Sequence, residues 1–211
     1  RATTRLRRAT YGLLALGWRG ASRQWRYFER AYLLLAGLAT PLVLSVHSIV
    51  SLDFASALLP GWHSTLFPPY FVAGAIFSGL AMVITLAVPA RTLFGLQRLI
   101  EVRHLESLAK LLLGMSLLLA FSYATEAFMA WYSGVPYERF AFFNRVFGNA
   151  APAFWILLLC NVGLPQLLWR RAIRTNLWAL LAISIAVNVG MWLERFVIVC
   201  TSLSRDYLPA S

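Results

Sequence analysis

Residues 177–200 read LWALLAISIAVNVGMWLERFVIVC, with Ser184, Asn188 and the adjacent pair Glu194-Arg195 as the hydrophilic side chains of the run. A helix of about 20 mostly apolar residues crosses the roughly 30 Å hydrocarbon layer of a bilayer. The run is too long and too continuously apolar for an alternating barrel strand. Four more stretches have the same character, at 31–52, 68–90, 108–132 and 151–170. The connections 53–67, 91–107, 133–150 and 171–176 hold most of the proline, glycine and charge. The expected fold is therefore an all-α integral membrane protein with about five transmembrane helices.

Composition points the same way. Of 211 residues, 60% are apolar, 14% aromatic and 13% charged, with a mean hydropathy of +0.68. A soluble domain carries about 25% charged residues, so this chain has about half the charge needed to cover a water-facing surface. That excludes a disordered chain, a nucleic-acid-binding domain and an ordinary cytosolic enzyme. The net charge of +11 reflects topology instead. Residues 1–30 carry eight arginines, the first connection no Lys or Arg, and residues 91–110 four. Arg139 and Arg145 follow, then Arg170, Arg171 and Arg174, then Arg195 and Arg205. The basic excess alternates across every span, which places the N-terminus inside and the C-terminus outside.

Residues 1–30 form a basic, aromatic segment in which Trp18, Trp25, Tyr27 and Phe28 interleave with arginines, as on a cytoplasmic or interfacial stretch. Residues 201–211 are the expected outer, periplasmic tail. Cys160 and Cys200 give neither a disulfide framework nor a metal-binding spacing. The sequence opens on Arg1 without a signal-peptide pattern, the expectation for a piece of a longer polypeptide.

Ionisable groups at membrane depth cost about 2.5–3.5 kcal/mol or more and usually face protein. His47 and Ser51 share a helix face, with Asp53 at the span end. Tyr123 and Glu126 are stacked three apart, and Glu126 lies about 9 Å inside its helix end. The first, third and fifth spans run in the same direction, and all their ionisable groups fall in the last third. His47, Asp53, Glu126, Glu194 and Arg195 are thus expected at one level near the outer water, as a polar cluster that protons can reach. The competing reading is an ion-pair cluster that locks the helices together. Gly74/Ser78 and Ala75/Gly79 read as close-packing pairs, Asn161 and Gln166 as interhelical packing amides, and His63 and His104 as groups outside the hydrocarbon. The sequence has no P-loop, Rossmann fingerprint, HExxH or nucleophile elbow, and this chain is expected to bind no metal or cofactor.

Several segments carry a family resemblance: 33-LLLAGLATP-41, 45-SVHSIVSLDF-54, 60-PGWH-63, 67-FPPYFVAGA-75, 188-NVGMWLERFVI-198 and 201-TSLSRDYLP-209. Together they resemble the NrfD-like, polysulphide-reductase-type integral membrane subunits, above all the larger such subunit of bacterial alternative complex III. The resemblance implies two four-helix bundles, of which this chain is similar to the second plus one further helix. It implies a subunit of a quinol:electron-acceptor oxidoreductase in the bacterial cytoplasmic (inner) membrane, in a respiratory or photosynthetic chain. The substrate would be menaquinol or ubiquinol, bound mainly by the first bundle. Partners would be an iron–sulphur subunit on the periplasmic face, a second NrfD-like membrane subunit, haem c subunits and the lipid bilayer, with no nucleic acid. The second bundle would supply polar residues of a proton path, here Asp53, Glu126 and Arg195 with His47 and Glu194 beside them. The rival expectation is a structural anchor and docking platform, and a transporter fragment would want inverted repeats and broken helices that the sequence does not display.

Overall fold

A computed structural model describes residues 5–57, 59, 62 and 66–203. His63 and most of the expected tail 201–211 lie outside the described residues. The described chain is helical throughout: α1 (Arg5–Leu14), α2 (Ser22–Ala55), α3 (Phe67–Leu93), α4 (Val102–Tyr132), α5 (Pro136–Phe147), α6 (Ala151–Leu158), α7 (Arg171–Arg174) and α8 (Leu177–Leu203). Between α6 and α7 the chain continues through a π turn, Leu159–Gly163, into a 3₁₀ stretch, Leu164–Trp169. Five helical segments are long and apolar enough to cross a membrane: Ser22–Ala55, Phe67–Leu93, Val102–Tyr132, Ala151–Trp169 and Leu177–Leu203.

The chain divides into two compact units, residues 1–46 and 47–211. In the first, Gly17 and Gly20 take positive φ in the turn between α1 and α2. There the Gln24 side chain accepts from the Arg19 and Ala21 amides and donates to the Gly17 carbonyl. Glutamine at this position covers the orphan donors that a new helix leaves bare. Trp18, Trp25 and Phe28 meet edge to face on this exposed corner.

In the second unit α3, α4, the α6–3₁₀ segment and α8 pack around one core. Each helix contributes a stripe at helical spacing. On α3 the stripe is Phe77, Ala81, Ile84 and Val88; on α4 it is Leu105, Ala109, Leu112, Ser116 and Leu119. On α8 it runs Leu180, Ser184, Val187, Met191, Glu194 and Ile198. The opposite faces expose Leu86, Phe121, Trp131, Trp155 and Trp192. An apolar exterior over an interior holding a carboxylate, an amide and hydroxyls is the distribution that lipid, rather than water, selects.

The end of this unit that carries α7 is held by charge. Arg174 donates to the carbonyls of Leu168 and Trp169 and pairs with Glu106 at 3.6 Å, and Lys110 pairs with Glu106 at 3.2 Å. His104 forms a reciprocal cap with Glu101 at the start of α4, so its ring closes a helix end. At the opposite end, Phe54 on the last turn of α2 packs on Trp62, Phe67 and Phe71, with ring centroids 4.7, 6.1 and 5.6 Å away. The Trp62 indole N–H donates to the Ile198 carbonyl at 3.1 Å. A Trp62→Phe chain keeps most of the ring packing and loses that bond. It is expected to unfold in detergent with about 1 kcal/mol less stability, a loss read from thermal denaturation.

Two regions differ from the sequence reading. Residues 133–150 read as a loop, but 136–147 form α5. Pro136 starts that helix, where a missing N–H costs nothing, and Ala141, Arg145 and Val146 face inward on it. The span 151–170 read as one plain helix, but Pro165 has no N–H to give the Asn161 carbonyl four residues earlier. The backbone widens into the π turn there, and the Ser116 hydroxyl donates to that carbonyl at 2.7 Å.

Candidate functional site: a buried carboxylate behind an open pocket

Glu194 occupies a core position of the α8 stripe and is 2% exposed. Three side chains from three other segments meet it. The Tyr123 hydroxyl on α4 donates to Oε2. Nδ2 of Asn161, in the π turn, donates to the same oxygen at 3.1 Å, and lies 3.2 Å from the Tyr123 hydroxyl and 3.5 Å from Sδ of Met191. Tyr70, near the start of α3, stacks edge to face on Tyr123 with centroids 5.9 Å apart, and its hydroxyl interacts with the Glu194 carboxylate. Oε1 of Glu194 and Oδ1 of Asn161 are buried with no hydrogen-bond partner among the described residues.

This approach depends on glycine. A Cβ on Gly190 would stand 2.3 Å from Oδ1 of Asn161 and 2.6 Å from Cβ of Cys160. A Cβ on Gly74 would stand 3.2 Å from Cε of Met191 and 3.4 Å from Nη2 of Arg195. Gly74 thus lets α3 lie close against α8, as its small-residue spacing suggests. Gly79, which shares that spacing, faces open space.

A second polar pair lies at the surface of the same unit. Arg145 of α5, 6% exposed, forms an ion pair with Glu126 of α4. Both residues line an open pocket of about 390 Å³, measured to its mouth, together with Leu66, Phe67, Tyr70, Ser122 and Ile198. Tyr70 therefore belongs to both places. It lines the pocket and also touches the buried carboxylate. A line of polar groups runs from the pocket through Tyr70 and Tyr123 to Glu194 and Asn161. Hydroxyls donate and accept at once, so such a line can pass a proton.

The residues singled out in the sequence fall in different surroundings. Glu194 is at the centre of the knot and Glu126 at the pocket. Arg195 follows Glu194 but points away from the knot, its guanidinium 4.1 Å over the Phe71 ring. The partner of Glu126 is Arg145. Asp53 is exposed on the last turn of α2, with no side-chain hydrogen bond or ion pair among the described residues. His47 is half-buried two turns earlier, one turn before the buried Ser51. Tyr70 and Arg145 were missed as site residues, since one read as a belt aromatic and the other as a loop charge. Asn161 does bond across helices, whereas Gln166 bonds within its own segment, to the Val162 carbonyl and the Trp169 indole. Asn188 donates to the Thr85 hydroxyl at 3.1 Å and ties α8 to α3. No three His, Cys, Asp or Glu side chains converge as metal ligands among the described residues.

Five apolar spans around a satisfied carboxylate define a multi-pass integral membrane subunit. The chain belongs to the polysulphide reductase NrfD family, which it matches over residues 8–205. It is also similar to the Hdr-like menaquinol oxidoreductase integral membrane subunit of Archaeoglobus fulgidus, at 29% identity over 148 residues. That match covers 67% of this chain and 36% of the relative, so the chain spans about a third of the relative's length.

Proposed function

We propose that this chain is part of a membrane subunit of a quinol-oxidising complex of the alternative complex III kind, and that its bundle carries protons. The observation that supports this reading is Glu194. It is a carboxylate in the core of a lipid-exposed bundle, held by Tyr123 and Asn161 and reached from an open pocket through Tyr70. A purely structural core would gain more from an apolar residue there, because desolvating a carboxylate costs several kcal/mol.

Oxidising a quinol to a quinone releases two protons with two electrons. Electrons would leave through an iron–sulphur subunit on the periplasmic face to haem c subunits, beside a second NrfD-like membrane subunit. This chain would hold neither redox centre. Its residues would accept and shed protons: Glu194 as the buried acceptor, Tyr123 and Tyr70 as relays, and Glu126 at the mouth beside Arg145. Arg195 would add positive charge next to Glu194, and His47 and Asp53 would lie on the water side near the end of α2. The alternating basic residues support an N-terminus inside the bacterial cytoplasmic membrane.

The test is quinol turnover and proton release by the intact complex in vesicles. Glu194→Gln keeps the shape and both donors to Oε2 but removes the titrating group. General acid–base groups supply roughly 10²–10⁴-fold, and turnover is expected to fall by about 10- to 100-fold with assembly intact. Unchanged turnover and proton release in both Glu194→Gln and Glu126→Gln would overturn the proposal. A docking-platform role is favoured by one observation, the Glu126–Arg145 pair that ties α5 to α4. On that reading the same substitutions reduce assembled complex while turnover per complex stays constant.

A further inference from the structure

The pocket at the α5 end is built for more than water. Its walls are Leu66, Phe67 and Ile198, and its polar groups are the hydroxyls of Tyr70 and Ser122 and the Glu126–Arg145 pair. Tyr70, Ser122 and Arg145 are each more than nine-tenths buried, so these polar groups are set into the protein. A volume of about 390 Å³ falls within the range of small-molecule sites, roughly 300–1,000 Å³.

The chemistry of the walls selects among occupants. An acyl chain would leave the arginine, the carboxylate and two hydroxyls facing hydrocarbon without partners, at a cost. An anionic headgroup would meet Glu126 as well as Arg145, whose charge that carboxylate already neutralises. A sugar or other strongly hydrated solute would lie against Phe67, Leu66 and Ile198 and lose its water there. What fits is a neutral, flat ring with oxygens at its edge and an apolar tail, sandwiched by aromatic and aliphatic walls. Its oxygens would reach the donors of Tyr70, Ser122 and Arg145.

We propose that this pocket binds the headgroup of a para-quinone or its quinol, as a quinone site within this bundle and separate from the catalytic quinol site expected outside this chain. The choice of quinone as the ring rests on the quinol-oxidoreductase reading. The site binds the ring between α3, α4, α5 and α8, with Tyr70 placing its oxygen one side chain away from Glu194. No redox step is assigned to it.

The test is photolabelling of the intact membrane complex with an azido-1,4-naphthoquinone, followed by peptide mapping, with quinol turnover measured on the same preparation. Label is expected in peptides carrying Leu66–Tyr70, Ser122–Glu126 or Arg145, and 2-methyl-1,4-naphthoquinone is expected to compete it away. Ile198→Phe, which fills the pocket, is expected to reduce that label by about tenfold, equivalent to some 1.4 kcal/mol of binding. Ser122→Leu serves as a second filling variant if the first does not assemble. The proposal is overturned if these peptides stay unlabelled while other parts of the complex take label, or if label persists undiminished in an assembled filling variant. Turnover with no label here defeats the pocket assignment alone. Competed label here without quinol turnover keeps the pocket and defeats the quinol-oxidoreductase reading.

Discussion

Replacing Gly190 by alanine is expected to be among the most damaging single changes in this chain. The new methyl carbon would stand 2.3 Å from Oδ1 of Asn161 and 2.6 Å from Cβ of Cys160, well inside van der Waals contact. Neither neighbour can yield cheaply. Asn161 is held by Tyr123 and Glu194, and its carbonyl by Ser116, while Cys160 sits on the π-turn backbone itself. The π turn must back away from α8, which pulls the Asn161 amide off Glu194. Overpacking costs about 1–3 kcal/mol, and the lost hydrogen bond to a charged group adds about 1.5–3 kcal/mol. The expected readout is a lower unfolding temperature in detergent and a reduced yield of folded protein. Gly79→Ala, whose Cβ meets open space, is the control and is expected to leave both unchanged.

Truncating Glu194 comes second. Glu194→Ala leaves the Asn161 amide and the Tyr123 hydroxyl facing a void with one acceptor gone. Each newly unpaired buried group costs about 1–3 kcal/mol, and a cavity adds to that. Glu194→Gln keeps Oε1 or Oε2 as an acceptor and nearly the same volume, so its stability is expected to stay close to that of the parent. Thermal unfolding should therefore separate the two variants, with the alanine chain falling by several degrees more. Equal losses would mean that the carboxylate's charge, and not its hydrogen-bonding shape, holds the knot together. Paired with the turnover measurement, the comparison separates a proton role from a structural one: the glutamine chain is expected to fold but to work slowly.

The five spans were legible because an apolar run of this length has one solution in lipid, a helix that satisfies its own backbone. The α8 stripe was legible too, since Leu180, Ser184, Val187, Met191, Glu194 and Ile198 recur at helical spacing. Neighbours on a helix are turned about 100° apart at 3.6 residues per turn. Glu194 and Arg195, read as one pair, therefore go to different places, the first into the core and the second over Phe71. Arg145 was counted as a loop charge because a 12-residue amphipathic stretch between two spans carries little hydrophobic signal. Only its folding as α5 brings it to Glu126.

The sequence alone determined that this chain lives in lipid, how many times it can cross, and which side chains are too polar to face hydrocarbon. Those are properties of single segments, set by transfer free energy and helical period. The tertiary structure decided which polar groups meet. Tyr70, Tyr123, Asn161 and Glu194 come from four segments, with up to 124 positions between them, and no local pattern encodes that convergence. It depends on Gly190 admitting the π turn, on Pro165 freeing a carbonyl for Ser116, and on α5 folding back to cover Glu126.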